Sequence, residues 1–211
     1  MNIVCVLFPN LTQLDLTGPF EVFHRIPGAT VYLAAKTLEP VCAEGGLSIL
    51  PTVTFAEAPD ADILLVPGGW GVNEAMLDDE VLAFVRRPAT WVTSVCTGAL
   101  ILGAAGMLDG YDATTHWAAM EFLAPFGARA TERRVVFDRN RITCGGVTAG
   151  IDIALQIVEE IYGGTMSDEI ALAIEYAPAP DDVRLRVLER LGPMKHKRRA
   201  AVKLAAQKLR A

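Results

Sequence analysis

Unbroken apolar runs alternate along this chain with stretches in which apolar residues recur at helical spacing. Ile3 to Phe8 is continuously apolar, as expected of a strand buried on both faces of a parallel sheet. Thr30 to Ala35 and Ile63 to Val66 read the same way, and Leu47 to Leu50 reads as a short strand in a hairpin after Gly45-Gly46. Trp91 to Val95 is a run of β-branched and aromatic residues, a fourth buried strand. Arg134 to Phe137 and Arg141 to Cys144 flank Asp138-Arg139-Asn140 and predict a hairpin.

Between these runs lie the predicted helices. Thr17 or Gly18 can cap a first helix with Pro19 at its opening position and Val22, Phe23 and Ile26 on its apolar face, which leaves Asp15 on the loop after the first strand. Further helices are expected over about 74–87, from Thr97 to Ala105, from Trp117 to about Pro125, and after Gly145-Gly146, where Val147, Ile151, Ala154, Leu155, Val158 and Ile161 share one face. Ser167 to Tyr176 is another, ended by Ala177-Pro178-Ala179-Pro180, and two more pieces separated by Gly192-Pro193 follow. Strands alternating with helices imply a mostly parallel central sheet with helices on both faces. With no linker, repeat or second core, residues 1–211 read as a single α/β domain with a basic helical extension from about residue 181.

Charge and cysteine usage narrow the function. The net charge of −6 conceals an asymmetry, because Met194 to Ala211 holds seven Lys and Arg and no acid. The remaining chain has twelve basic against 25 acidic residues, a net −13, which argues against general nucleic-acid binding. The basic tail is either a polyanion contact or a solvated helix face. No apolar run approaches the roughly 18 residues that cross a bilayer, and Ile3 to Phe8 follows no basic leader, so neither a membrane span nor a signal peptide is expected. Cys5, Cys42, Cys96 and Cys144 have no metal-ligand spacing, which favours free thiols in the cytoplasm and no metal.

The candidate chemistry gathers at one edge. In an open parallel sheet, ligands bind beyond the carboxyl ends of the strands. Asp15 follows the first strand, Gly68-Gly69 the third, and Cys96 stands where the fourth turns into a helix. A cysteine at such an elbow is exposed to helix-terminal N–H groups that favour its thiolate; the alternative is one more buried small hydrophobe. Gly68 and Gly69 either make a tight turn or bring backbone N–H groups close to a substrate. Thr97 either caps its helix or offers its N–H and hydroxyl to the substrate. Asp15 is either a helix-capping or solvated aspartate or, set among Leu14, Leu16 and Pro19 and near a sulfur, an acid that keeps its proton and donates it to Cys96. His116, leaving a strand in Thr114-Thr115-His116-Trp117, is the candidate base for a Cys–His pair, while Trp70, Trp117 and Val147 are candidate pocket walls.

Leu14 to Pro19, Val66-Pro67-Gly68-Gly69, Ser94-Val95-Cys96-Thr97-Gly98 and Ala113 to Trp117 together resemble the DJ-1/PfpI superfamily, over about Ile3 to Pro180. With Gly145-Gly146-Val147-Thr148-Ala149-Gly150-Ile151-Asp152 included, the chain is most similar to its bacterial isocyanide hydratases. The resemblance implies a flavodoxin-like homodimer without metal or organic cofactor, Cys96 as nucleophile and Asp15 as its acidic partner. Thr97 stands where protease-like members carry histidine, against a Cys–His–acid hydrolase. The expected reaction is addition of water to a small-molecule isocyanide, giving an N-substituted formamide. Glyoxalase-like or hydrolase action with His116 as base, and a non-enzymatic redox sensor at Cys96, stay open beside it.

Overall fold

A computed structural model describes residues 1–176. Seven strands make the central sheet: β1 (Asn2–Val6), β2 (Thr30–Ala35), β3 (Val53–Thr54), β4 (Ala61–Val66), β5 (Ala89–Val95), β6 (Val135–Asp138) and β7 (Arg141–Cys144). Their spatial order is β6-β7-β5-β4-β1-β2-β3, parallel throughout except for β6, which runs antiparallel to β7. Ile3 of β1 pairs with Val31 on one side and Ile63 on the other, and β4 pairs with β5 from Ala61↔Ala89 to Val66↔Ser94. The three middle strands are buried along consecutive residues at their carboxyl halves, which requires cover on both faces. Strand order reverses between β1 and β4, and that reversal opens a crevice at the carboxyl ends of β1, β4 and β5.

The helices are α1 (Gln13–Phe23), α2 (Val72–Ala75), α3 (Asp79–Val85), α4 (Gly98–Ala104), α5 (Ala149–Tyr162) and α6 (Gly164–Ala173). Two compact units are distinguished, Met1–Val158 with the whole sheet, and a second that begins at Glu159 within α5. The extension expected from about residue 181, with its basic run, lies outside the described residues.

Several boundaries differ from the sequence expectation. α1 starts at Gln13, not at Thr17 or Gly18, so Asp15 lies in its first turn and Pro19 is interior. A proline there forfeits the bond its N–H would make to the carbonyl four residues back, that of Asp15. Packing accounts for the departure, since a Cβ on Gly150 of α5 would come within 3.0 Å of Pro19 Cδ. The expected 74–87 helix is two pieces, because the Asp78 side chain accepts from the N–H groups of Glu80 and Val81 and starts α3 afresh. The Ala113–Trp117 strand shrinks to Asp112–Ala113, and Trp117–Phe122 is a 3-10 turn.

Candidate active site

Cys96 and Thr97 are the two residues between β5 and α4, with Thr97 directly preceding the helix. The Cys96 φ of 56° is unusual for a residue with a Cβ, and it turns the side chain out of the strand direction. Three hydrogen bonds hold that turn. The Cys96 N–H is shared between the carbonyls of Cys144 and Gly145, 3.1 Å from each, and its carbonyl accepts from the buried Thr115 hydroxyl at 2.7 Å. Gly98 lets the helix start against the sheet, since a Cβ there would meet Val66 O at 2.2 Å.

Asp15 is fully buried, and Gly68 N–H donates to its Oδ2 at 3.0 Å. Its Oδ1 is buried without a partner, the place where a carboxyl proton would sit. The carboxyl is within hydrogen-bonding reach of the Cys96 side chain. Burial pushes Asp15 up to about 7, helped by the charge of Glu44 and opposed by the Gly68 N–H and the Cys96 contact. Burial and the orphaned oxygen both favour the protonated carboxyl at Asp15.

The sulfur departs from expectation. Burial, and then the charge of Asp15, push the Cys96 thiol up to about 11, although the N–H groups of Thr97 and Val147 and the Thr97 hydroxyl pull the other way. A thiolate favoured by the helix end does not emerge; desolvation outweighs the donors of a seven-residue helix. Cys96 rests as a thiol whose proton must leave as the sulfur reacts.

The two glycines serve the site from behind. Gly68 N–H goes to Asp15, and Gly69 N–H goes to Thr97 Oγ1 at 3.0 Å, so neither is free for a substrate as the sequence suggested. A Cβ on Gly68 would approach Thr97 N, Thr97 Oγ1 and Asp15 Oδ2 within 2.8 Å, and Gly69 has a φ of 127°. Both positions therefore demand glycine. Thr97 does not cap its helix with its side chain; the hydroxyl ties the glycine loop to the elbow.

Beyond the sulfur opens a cavity of about 690 Å³. Its walls are largely apolar: Val72 and Met76 from the α2 side, Leu100 from α4, and Ala119, Phe122 and Phe126 from the segment after His116. Thr12, Glu44, Asn73, Thr97 and His116 add polar groups, and Gly69, Trp70 and Val147 also line it, whereas Gly68 and Trp117 do not. Trp117 is instead 81% exposed. His116 reaches the cavity, but its Nδ1 accepts from the Ala118 N–H and no hydrogen bond among the described residues joins it to Cys96. Val147, a β-branched residue at a φ of 35°, aims its N–H at the sulfur. Thr115 and Val147 lie within stretches that carry the family resemblance, but those stretches do not mark these roles, and Glu44 lies in no such stretch. All four cysteines are free.

Residues 1–160 match the DJ-1/PfpI family. The chain is 48% identical over 183 residues to an isonitrile hydratase of Pseudomonas putida, covering 85% of this chain and 80% of that protein. It is 32% identical to the HTH-type transcriptional regulator GbdR of Pseudomonas aeruginosa, spanning 79% of this chain but only 48% of the regulator. Among solved structures, a ThiJ/PfpI family protein from Pseudomonas syringae superposes with a TM-score of 0.82 at 44% identity, covering 91% of this chain and 86% of that one. Drosophila melanogaster DJ-1beta, at 23% identity and a TM-score of 0.73, shares the fold over 82% of this chain and 96% of its own. With a flavodoxin-like sheet, a cysteine elbow at its carboxyl edge and a family match over most of its length, the chain belongs to the DJ-1/PfpI family.

Proposed function

We propose that this protein hydrates isocyanides, R–N≡C, to N-substituted formamides. The observation that carries the reading is the buried Asp15 carboxyl, one oxygen unpartnered, within reach of the Cys96 thiol at an apolar cavity. Likeness to an isonitrile hydratase supports it.

An isocyanide's terminal carbon accepts both a nucleophile and a proton. Cys96 sulfur bonds to that carbon as its own proton passes to Asp15 and the Asp15 proton passes to the carbon. The carboxyl ends as an acid again, and the product is the thioimidate R–N=CH–S–Cys96. Water then adds to the carbon, with Asp15 relaying a proton from water to nitrogen. The C–S bond breaks, the hydroxyl proton returns to sulfur, and R–NH–CHO leaves. An acid near 7 suits both transfers, because it donates and accepts at similar cost. The Thr97 and Val147 N–H groups stabilise negative charge on sulfur as the thiol proton departs.

Purified protein mixed with an aromatic isocyanide should produce formamide, and Cys96→Ala should not. Equal rates for the two would end the hydratase reading. A hydrolase or glyoxalase-like activity with His116 as base is the second reading, favoured only by the presence of His116 in the same cavity. We further infer a cytoplasmic homodimer with no membrane or nucleic-acid partner, on family likeness and charge. Among the described residues no helix is long and apolar enough to cross a membrane. Light scattering that returned one 22.7 kDa chain would remove the dimer.

A further inference from the structure

We propose that Glu44 is a positioning residue for Asp15, holding the acid in its protonated form and locking the glycine loop that binds it. Glu44 belongs to the turn Glu44–Gly46, between β2 and β3 in sequence, and nothing in its sequence setting marks it for the site. Its backbone N–H donates to the Leu11 carbonyl at 2.9 Å, which pins the turn to the approach of α1. Its side chain then bridges two elements of the site. Oε2 accepts from the Thr12 hydroxyl at 3.0 Å, at the residue where α1 begins, and Oε1 accepts from the Trp70 N–H, next to Gly69.

Each of these two carboxyls thus has a distinct environment. Both Glu44 oxygens take a donor, which is the pattern of an acceptor-only carboxylate. Asp15 has one oxygen with no donor, the pattern of an acid. Two nearby carboxyls do not ionise together without cost, so a charge fixed on Glu44 favours the proton staying on Asp15. Of the titratable groups around Asp15, Cys96 at the elbow and Cys144 at the end of β7 are both pushed toward their neutral thiols, and the charge of Glu44 adds to burial, the larger influence, in pushing Asp15 up. His116 lines the same cavity and makes its contact with Ala118.

The same bridge has a mechanical side. Thr12 N–H donates to Gly68 O at 2.9 Å and Gly71 N–H donates to Asn10 O at 3.0 Å, so the loops after β1 and β4 are already stitched together. Glu44 adds a third tie, from outside both loops, that spans Thr12 and Trp70. Its loss should loosen the loop whose Gly68 N–H holds Asp15 and whose Gly69 N–H holds Thr97.

The role rests on the proposed acid function of Asp15, and the decisive measurement does not need turnover. Carboxyl carbon NMR, with Asp15 assigned by its loss in Asp15→Asn, follows the titration of that acid directly. The Asp15 midpoint should fall by about half a pH unit or more in Glu44→Gln, by the Coulomb energy of a nearby charge. It should stay near the wild-type value in Glu44→Asp, which keeps the charge. A midpoint unmoved in Glu44→Gln, or moved equally in both variants, overturns the electrostatic role. Should Glu44→Gln fail to fold, Glu44→Ala, which also removes the charge, is read against Glu44→Asp in the same way. If the midpoint shifts as expected while no isocyanide is consumed by any form, the hydratase reading fails and the positioning role stands.

Discussion

At the scale of single residues, the candidate site pairs a carboxyl with a thiol, and burial pushes both toward their neutral forms. Asp15 contributes to stability in the opposite sense from most carboxylates. Its folded-state value, about 7, lies above its unfolded value, so between roughly pH 4 and 7 the folded protein holds a proton that the unfolded chain has lost. The stability linked to Asp15 is therefore full below pH 4 and is lost as the pH rises toward 7, on the order of 4 kcal/mol in all. Asp15→Asn removes that slope, and urea melts at pH 5 and pH 8 should show wild type losing more stability than the variant over the interval. Turnover should follow the same group. If Asp15 must carry a proton, activity declines on the alkaline side of about pH 7, and Asp15→Asn loses more than 100-fold while His116→Ala keeps most of it. The reverse ranking would favour His116 as base. Cys96, Asp15 and Thr97 stand out in the sequence because each is an unusual residue at a sheet edge, and the fold brings them together at the glycine loop. The sequence did not disclose Thr115, Glu44 or the Val147 N–H, whose parts are played by one hydroxyl, one carboxylate on a distant turn and one backbone group. Such contributions depend on which segments the fold brings together, and side-chain type carries no sign of them.

At the scale of elements, the reading was right where burial alone decides and weaker where local rules compete with packing. Apolar runs located β1, β2, β4, β5 and the β6–β7 hairpin within a few residues, since a strand covered on both faces has little freedom in composition. Pro19 misplaced the start of α1. The preference for proline in a first turn is a statement about an isolated helix, and the contact of Pro19 with Gly150 overrode it. That shift matters for function, because it moves Asp15 from a loop into a helical turn, where it is held more rigidly. The β5–α4 elbow depends in turn on Gly98. A methyl group there would lie 2.2 Å from Val66 O and 2.6 Å from Pro67 O, both backbone atoms that cannot swing aside. Gly98→Ala should therefore destabilise the protein by roughly 2 kcal/mol or more, as overpacking against a fixed neighbour does. The turn that aims Cys96 is displaced with it. Thermal melts together with the rate of Cys96 alkylation check both effects, and a variant that melts and reacts like wild type would show that the elbow tolerates the methyl.

At the scale of the whole molecule, the topology explains why these elements meet. β1 and β4 are adjacent strands at the point where strand order reverses, so the first turn of α1, which carries Asp15, and the Gly68-Gly69 loop meet at the carboxyl edge of the sheet, beside Cys96 from β5. The cavity over this crevice is large relative to the reacting atoms, and its apolar walls would bind the R group of a substrate while Cys96 and Asp15 work at one end. Binding there should raise stability by linkage. An unreactive apolar ligand with no electrophilic carbon, such as ethylbenzene, contributes about 2.7 kcal/mol at a hundred times its dissociation constant. For a chain of this size that is a rise in Tm of several degrees. Cys96→Ala should keep the rise, since the cavity and not the thiol supplies the affinity. Ala118 tests the location, because it is exposed and lines the cavity, and its N–H bond to His116 survives substitution. Ala118→Phe should fill the space at little cost to the free protein, abolish the ligand-induced rise, and slow bulky isocyanides more than methyl isocyanide. A rise in Tm that persists undiminished in Ala118→Phe would mean that the ligand binds elsewhere and that this cavity is not where the R group goes.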